Sequence, residues 1–155
     1  MTHSRFIVDT MLGRLARWLR AMGYDTLYPG QAEDRRLLQL ARFEDRTVVT
    51  RDRMLARLAA PRSCLVRAEL VDAQIVEVVE RLALTPRDED WLSRCLECNA
   101  PLEARGHAQV AGLVPAHVLV TQARFMACPG CGRIYWAGSH ADRMLERLAR
   151  LLRGH

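Results

Sequence analysis

The sequence predicts an α/β fold in which helices flank a parallel sheet, followed by a small metal-binding module and a C-terminal helix. Strand-like and helix-like segments alternate four times in the first part of the chain, as they do in parallel sheets. Two Cys-x-x-Cys pairs come next, and an amphipathic segment ends the chain. We therefore divide it into residues 1–90, which carry the sheet, and residues 91–155, which carry the cysteine pairs and the last helix.

The first half of the predicted sheet domain contains two strands and a helix. Residues 5–9 form a short apolar strand that ends in an acid. Residues 10–22 carry apolar side chains at helical spacing, and Gly23 ends this helix. Residues 24–28 form the second strand, and a Pro-Gly pair closes it.

The second half repeats this alternation twice. Since strand–helix–strand crossovers are right-handed, alternation of this kind places helices on both faces of one sheet. A buried Cys64 is expected within the last strand. The predicted elements are a helix over 34–44, a strand over 47–50, a short helix ending at 59, a strand over 64–67 and a helix over 71–84.

The charge of the chain is carried by arginine alone. Its 155 residues include 23 basic side chains, none of them lysine, against 18 acidic ones. The surplus lies in residues 91–155, and arginine suits bidentate phosphate contacts, so a nucleic-acid partner is a hypothesis. A GC-rich genome would also favour Arg over Lys. No apolar run is long enough to span a bilayer and no signal peptide is recognisable, so we expect a cytoplasmic protein without membrane contact.

Four cysteines form the most specific motif. Two Cys-x-x-Cys pairs, 29 residues apart, can close a tetrahedral site of four thiolates that suits Zn²⁺. Such a site has no open position, so the metal would be structural. Disulfides or a redox pair are alternatives. Gly130 and Gly132 are expected to permit the turn of the second pair. The predicted ligands are Cys95, Cys98, Cys128 and Cys131.

Three aspartates are expected at the carboxyl edge of the sheet. Asp9 ends the first strand, Asp52 follows the third, and Asp34 begins the helix between them. Sites in open α/β sheets gather at this edge, and clustered carboxylates suit Mg²⁺ or Mn²⁺. An aspartate before a helix is also a common N-cap, which is the alternative for Asp34 and Asp52.

Six segments resemble motifs of the Mut-seven carboxy-terminal RNase family, in the same order. The resemblance covers nearly the whole chain. It implies a PIN-like nuclease domain over 1–90 and a zinc ribbon with a C-terminal helix over 91–155. The segments are 9–20, 23–26, 48–52, 94–99, 125–136 and 138–140.

The resemblance also implies a reaction. PIN-like domains are associated with metal-dependent RNA cleavage through a cluster of acids, and Asp9, Asp34 and Asp52 occupy the matching positions as catalytic Mg²⁺ or Mn²⁺ ligands. Asp72 and Glu69 are the candidates for the fourth acid that many such nucleases carry.

Arginines near both ends of the chain are candidate phosphate contacts. Arg14, Arg17 and Arg51 lie near the predicted acidic edge, and Arg143 and Arg147 belong to an arginine stripe on the last helix. Solvated helix faces explain these arginines equally simply.

The end of the chain is predicted to be a helix over 140–153. Ser139 and Asp142 indicate a capping box at its start. Tyr135 and Trp136, just before it, either stack on bases or pack the small ribbon.

Two functions follow from these observations. The first is a metal-dependent ribonuclease with a structural zinc ribbon that assists RNA binding. The second is a non-enzymatic RNA-binding or ribosome-associated adaptor on a degenerate PIN-like fold. RNA is the expected partner, and a protein inhibitor or antitoxin-like partner is compatible with either function; the sequence does not predict an oligomeric state.

Overall fold

A computed structural model describes residues 4–153 of the chain. Its main sheet has four strands, all parallel, in the spatial order β2-β1-β3-β4. The predicted α/β class is therefore confirmed. The strands are β1 (Arg5–Val8), β2 (Asp25–Leu27), β3 (Thr47–Thr50) and β4 (Ser63–Leu65).

Four helices connect and follow these strands. A turn of 3-10 helix precedes the first of them, because the carboxylate of Asp9 accepts the main-chain N–H of Thr10 and bends the chain directly after β1. The predicted helix over 10–22 is therefore regular only from Gly13. The helices are α1 (Gly13–Ala21), α2 (Asp34–Phe43), α3 (Arg53–Ala59) and α4 (Val71–Arg81).

The alternation of side chains along the central strands builds two cores. Phe6, Val8 and Val49 point to the face covered by α1 and α4, whereas Ile7 and Val48 point to the face covered by α2 and α3. All five side chains are buried. Helices on both faces of a sheet whose central strands bury apolar side chains on both sides are the arrangement that the alternation of elements predicts.

The second part of the chain forms a small antiparallel sheet in the order β5-β6-β7 and three further helices. The sequence did not resolve the stretch 101–122, where a strand and two short helices lie. The longest helix has 14 residues, and none among residues 4–153 is long and apolar enough to cross a bilayer. The elements are β5 (Glu103–Arg105), α5 (His107–Val110), α6 (Ala116–Thr121), β6 (Phe125–Ala127), β7 (Ile134–Trp136) and α7 (Ser139–Leu152).

The last helix packs against the main sheet domain. Met144 and Leu148 of α7 are buried in the same core as the residues of α1 and α4. The predicted capping box is absent from its start, because the N-cap is Gly138 and the main-chain oxygen of this glycine accepts the N–H of Asp142. Apolar contacts thus cross residue 90, and the division into two domains stays a prediction.

The edge strand β2 is covered by the first cysteine loop. The buried guanidinium of Arg20 donates to the main-chain oxygen of Thr26 at 2.9 Å and to those of Leu96 and Glu97 at 3.0 Å. The side-chain oxygen of Asn99 accepts the N–H of Thr26 at 2.8 Å. The outer edge of the sheet therefore has its hydrogen bonds made by side chains rather than by another strand.

An ion pair between the buried Arg46 and the half-buried Asp25 stabilises the same edge. Arg46 donates to the carboxylate of Asp25 at 2.7 Å, and the amide of Asn99 donates to the same oxygen at 2.7 Å. Burial acts to raise the pKa of Asp25, but these two hydrogen bonds, with the charges of Arg46 and Arg94, outweigh it and lower the pKa to about 2.

We expect Asp25→Asn to reduce the free energy of unfolding by about 2 kcal/mol at pH 7, because the folded state then loses a carboxylate whose pKa it depresses. The folded pKa lies below the unfolded one, so the stabilisation is complete above about pH 4 and disappears as the pH falls towards 2. Urea unfolding of both proteins at several pH values measures the difference in the free energy of unfolding. Both proteins lose metal from the cysteines at low pH, so this effect cancels in the difference.

Asp45→Asn is the matched control for this experiment. Asp45 pairs with Arg62 on the surface, and its side chain is 74% exposed, so its removal should change stability by less than about 1 kcal/mol. Equal effects of the two substitutions would contradict the importance of the pair between Asp25 and Arg46.

Candidate active site and metal centre

The four cysteines of the two Cys-x-x-Cys pairs come together in space. Their sulfur atoms lie within 4.8 Å of one another, with Cys95 and Cys131 at 3.6 Å and Cys98 and Cys128 at 3.0 Å. Tetrahedral coordination with Zn–S bonds of about 2.3 Å requires sulfur–sulfur distances of about 3.8 Å, so small adjustments would accommodate zinc. The thiolate donor set fits a structural zinc ion, as the sequence predicted.

Each loop turns through a left-handed residue directly after its second cysteine. Asn99 has a φ of 76° and Gly132 a φ of 77°. Gly130, which the sequence analysis also assigned to this turn, does not have a positive φ, and a Cβ there would make an ordinary contact with the sulfur of Cys98 at 3.5 Å. The turn of the second loop therefore depends on Gly132 and not on Gly130.

The protein partly prepares the thiols for a cation. Hydrogen bonds from the main chain and side chain of Arg133 lower the pKa of Cys131, whereas the hydrogen bond with Cys128 raises the pKa of Cys98. A divalent cation would allow all four to lose their protons.

Tyr135 belongs to the support of this centre. Its hydroxyl lies 3.2 Å from the sulfur of Cys95 and accepts the main-chain N–H of Leu96. Of the two roles considered for Tyr135, these contacts favour packing of the module.

Asp9 is held at the carboxyl end of β1 in one orientation. Its carboxylate is almost fully buried, with one oxygen accepting the N–H of Thr10 at 2.7 Å and the other accepting the hydroxyl of Thr50 at 2.8 Å. Its main-chain N–H donates to the oxygen of Val49 on the neighbouring strand. Each carboxylate oxygen retains a further lone pair, so Asp9 can still ligate a cation.

Asp52 is joined to Asp9 through Thr50. The hydroxyl oxygen of Thr50 accepts the main-chain N–H of Asp52 at 2.9 Å while its proton goes to Asp9. Asp52 also caps α3, because one of its oxygens accepts the N–H of Leu55 at 3.0 Å. The N-cap role considered for Asp52 is therefore present, and no residue among 4–153 donates a hydrogen bond to its second oxygen, which can accept another ligand.

Asp34 is placed differently from the other two acids. It is the first residue of α2 and is exposed, while Glu33 occupies the N-cap position.

Tyr28 connects the end of β2 to the turn that follows Asp9. Its hydroxyl donates a hydrogen bond to the main-chain oxygen of Thr10 at 2.7 Å.

Within the part of the chain that the structure describes, only the four cysteines are gathered as closely as metal ligands. Among residues 4–153, no three carboxylates meet within the 4.8 Å that separates the four sulfur atoms. Asp9, Asp34 and Asp52 thus share an edge without forming a closed ligand set, and their donors suit a hydrated ion such as Mg²⁺ or Mn²⁺, which usually keeps several waters.

The candidates for a fourth acid differ in availability. Asp72 pairs with Arg147, whose Nε lies 2.8 Å from its carboxylate, and the guanidinium of Arg147 also lies over the ring of Trp18 at 5.1 Å. Glu69 is exposed just before α4. Asp72 therefore joins α4 to α7, and Glu69 is the more available of the two.

Some of the predicted arginines pair with acidic side chains, and the others are available to bind a ligand. Arg17 pairs with Glu97, and Arg147 is held as described. Within the described part of the chain, the guanidinium groups of Arg14, Arg51 and Arg143 make no hydrogen bond or ion pair. Arg14 and Arg51 belong to the segments that leave β1 and β3 at the acidic edge.

The sequence of this chain is similar to that of one protein family and to part of one human protein. The profile described as Mut7-C RNAse domain matches residues 4–148. The protein named Exonuclease mut-7 homolog from Homo sapiens is 34% identical over 101 residues, which cover 61% of this chain. The match covers only 12% of that relative's length. No solved structure matches the chain significantly.

We expect Asn99→Gly to reduce stability by about 1–3 kcal/mol, because it removes the acceptor of the Thr26 N–H and the amide that donates to Asp25. Glycine tolerates the left-handed conformation, so the loop should still hold zinc. Hydrogen exchange at the amide of Thr26 should accelerate, while metal analysis should be unchanged.

Gly132→Asn provides the control at the corresponding position of the second loop. A Cβ there meets nothing within 4 Å, and asparagine tolerates a positive φ, so we expect a change below about 1 kcal/mol. A comparable loss in both variants would refute the role of the Asn99 side chain.

Removal of the metal should loosen the sheet edge as well as the cysteine loops. We expect about one zinc ion per chain, and Cys128→Ser should bind less. Hydrogen-exchange mass spectrometry should then show lost protection in 94–99 and in 24–28, since Arg20 and Asn99 join these segments. Loss confined to 94–99 would contradict this coupling.

Proposed function

The chain belongs to the Mut7-C RNAse domain family, and we propose that it is a metal-dependent ribonuclease acting at the edge that carries Asp9 and Asp52. The observation that supports this most strongly is the arrangement around Thr50. The buried carboxylate of Asp9 accepts hydrogen bonds from two donors, and the main-chain N–H of Asp52 donates to one of these, the Thr50 hydroxyl. These contacts fix an anionic group at the carboxyl end of the parallel strands. The name of the human relative, an exonuclease homologue, supports a nuclease.

The three acids would hold the ion. Asp9 and Asp52 would ligate it directly or through water, and Asp34 would reach it from the start of α2. A bound Mg²⁺ or Mn²⁺ would supply an activated water for attack on phosphorus. Thr50 acts as a positioning residue, because its hydroxyl fixes which way the carboxylate of Asp9 faces.

Available arginines would bind the substrate. Arg14 and Arg51 adjoin the acids, and their forked donors match phosphate oxygens. Arg143 on α7 is exposed and would extend the contact to the more basic second part of the chain. Zinc would hold the cysteine loops and so keep this second part against the sheet.

A non-enzymatic RNA-binding adaptor is the second candidate. It is favoured by the open spacing of the acids and by the helix-capping hydrogen bond of Asp52. Cleavage that depends on the acids separates the two functions.

We expect Asp9→Asn and Asp52→Asn each to lower RNA cleavage by more than about 100-fold. Loss of a residue that only supports a metal ligand typically costs about 10- to 100-fold, and loss of the ligand itself should cost more. Asparagine can still cap a helix, so the fold should survive. The assay uses purified protein, Mn²⁺ and a mixed RNA pool, with end analysis for 5′-phosphate and 3′-hydroxyl products.

Asp142→Asn, an exposed substitution on α7, is the matched control and should leave the rate unchanged. Equal cleavage by all variants would point to a contaminating nuclease. No cleavage by the wild type would favour the adaptor.

Thr50→Val should reduce cleavage by about 10- to 100-fold, because valine has the shape of threonine without its hydroxyl. Thr50→Ser should restore most of the rate. A stronger Mn²⁺ requirement of the valine variant would distinguish positioning from a loss of folding, which circular dichroism monitors.

A further inference from the structure

Three of the exposed apolar side chains occur at the edge that carries the acids. Met11 is 71% exposed, Met54 61% and Leu70 76%. Met11 lies two residues after Asp9, and Met54 two residues after Asp52. We call Met11, Met54 and Leu70 the apolar rim.

The topology brings the members of the rim to one side of the molecule. Each lies in the segment that leaves a strand, and the strands concerned, β1, β3 and β4, are adjacent and parallel. Neighbouring strands lie about 4.8 Å apart, so the three segments leave the sheet within about 10 Å of one another. These apolar side chains are exposed to solvent and do not pack in either core, so their position near the acids indicates a binding surface.

Arginines accompany the apolar rim on the same segments. Arg14 and Arg51 follow Met11 and β3, and Arg67 follows β4. The main-chain N–H of Arg67 donates to the carboxylate of Glu77, while its guanidinium makes no hydrogen bond or ion pair within residues 4–153. The edge thus offers apolar surface and free positive charge side by side.

This combination distinguishes between ligands. In a duplex the bases are stacked inside and the phosphates face outward, so an apolar surface gains little from it. A strand with unpaired bases presents base faces and phosphates together, and these match apolar side chains and arginines respectively. We infer that the apolar rim contacts the faces of unpaired bases and so selects unstacked RNA for the acidic edge; this inference rests on the proposed ribonuclease function.

The experiment compares two labelled strands of about 12 nucleotides, one an RNA without self-pairing and the other the same backbone without bases. Fluorescence anisotropy without added Mg²⁺ or Mn²⁺ measures binding. The wild type should bind the base-bearing strand about ten-fold more tightly than the abasic one. A triple variant, Met11→Gln, Met54→Gln and Leu70→Gln, should lose this difference and bind the abasic strand like the wild type.

A second triple variant controls for general loss of apolar surface. It carries Phe43→Gln, Leu113→Gln and Val120→Gln, which change exposed apolar side chains that are not part of the apolar rim, and should bind like the wild type. Circular dichroism checks that both variants fold.

The outcomes separate this inference from the proposed function. Acid-dependent cleavage together with unchanged base-dependent binding by the rim variant would overturn the inference alone. The wild type could instead show base-dependent binding without any cleavage, with the rim variant losing that binding. This result would support base contact by the apolar rim and contradict the proposed ribonuclease activity. A sedimentation shift from dimer to monomer in the rim variant, without a change in RNA binding, would assign the rim to a second copy of the chain and overturn the inference.

Discussion

The hydrogen bonds that side chains make to strand β2 connect the two parts of the molecule. Asn99 accepts the N–H of Thr26, and Arg20 donates to the oxygen of the same residue and to the first cysteine loop. Tyr28, just after β2, then reaches the turn that follows Asp9. A continuous set of contacts therefore runs from the cysteine loops to the acidic edge. Because strand β2 lies between them, the geometry of the loops and that of the edge both depend on it.

Two buried arginines show why this residue type suits the fold. Arg20 and Arg46 each bind several main-chain or carboxylate oxygens at once, which the forked guanidinium allows and a lysine ammonium would not match. Burial lowers the pKa of Arg20, and the charges of nearby groups, Glu97 and Asp25 among them, offset only part of this effect. At these two positions arginine is a structural requirement whatever the composition of the genome, whereas the exposed arginines carry no such constraint.

The sequence predicted those features that depend on pattern and chain order. β-branched strands alternating with amphipathic helices indicated the parallel sheet, and that order alone placed Asp9 and Asp52 at its carboxyl edge. The paired cysteines indicated the metal centre. Features that depend on contacts between distant segments were missed: nothing in the sequence indicated that Arg20 is buried, and Asn99 had no distinguishing signal. Helices of four and six residues within 101–122 are too short to produce a periodic pattern.

The cover over β2 has a consequence for where the chain can be cut. A fragment ending near residue 90 would have strand β2 with its outer main-chain groups open, and it would lose Leu96, Met144 and Leu148 from the core. Open strand edges next to exposed apolar surface promote aggregation through pairing with other chains. Residues 1–90 alone are therefore a poor unit for separate expression or for exchange between proteins, because the first cysteine loop covers the strand edge that would otherwise pair with other chains.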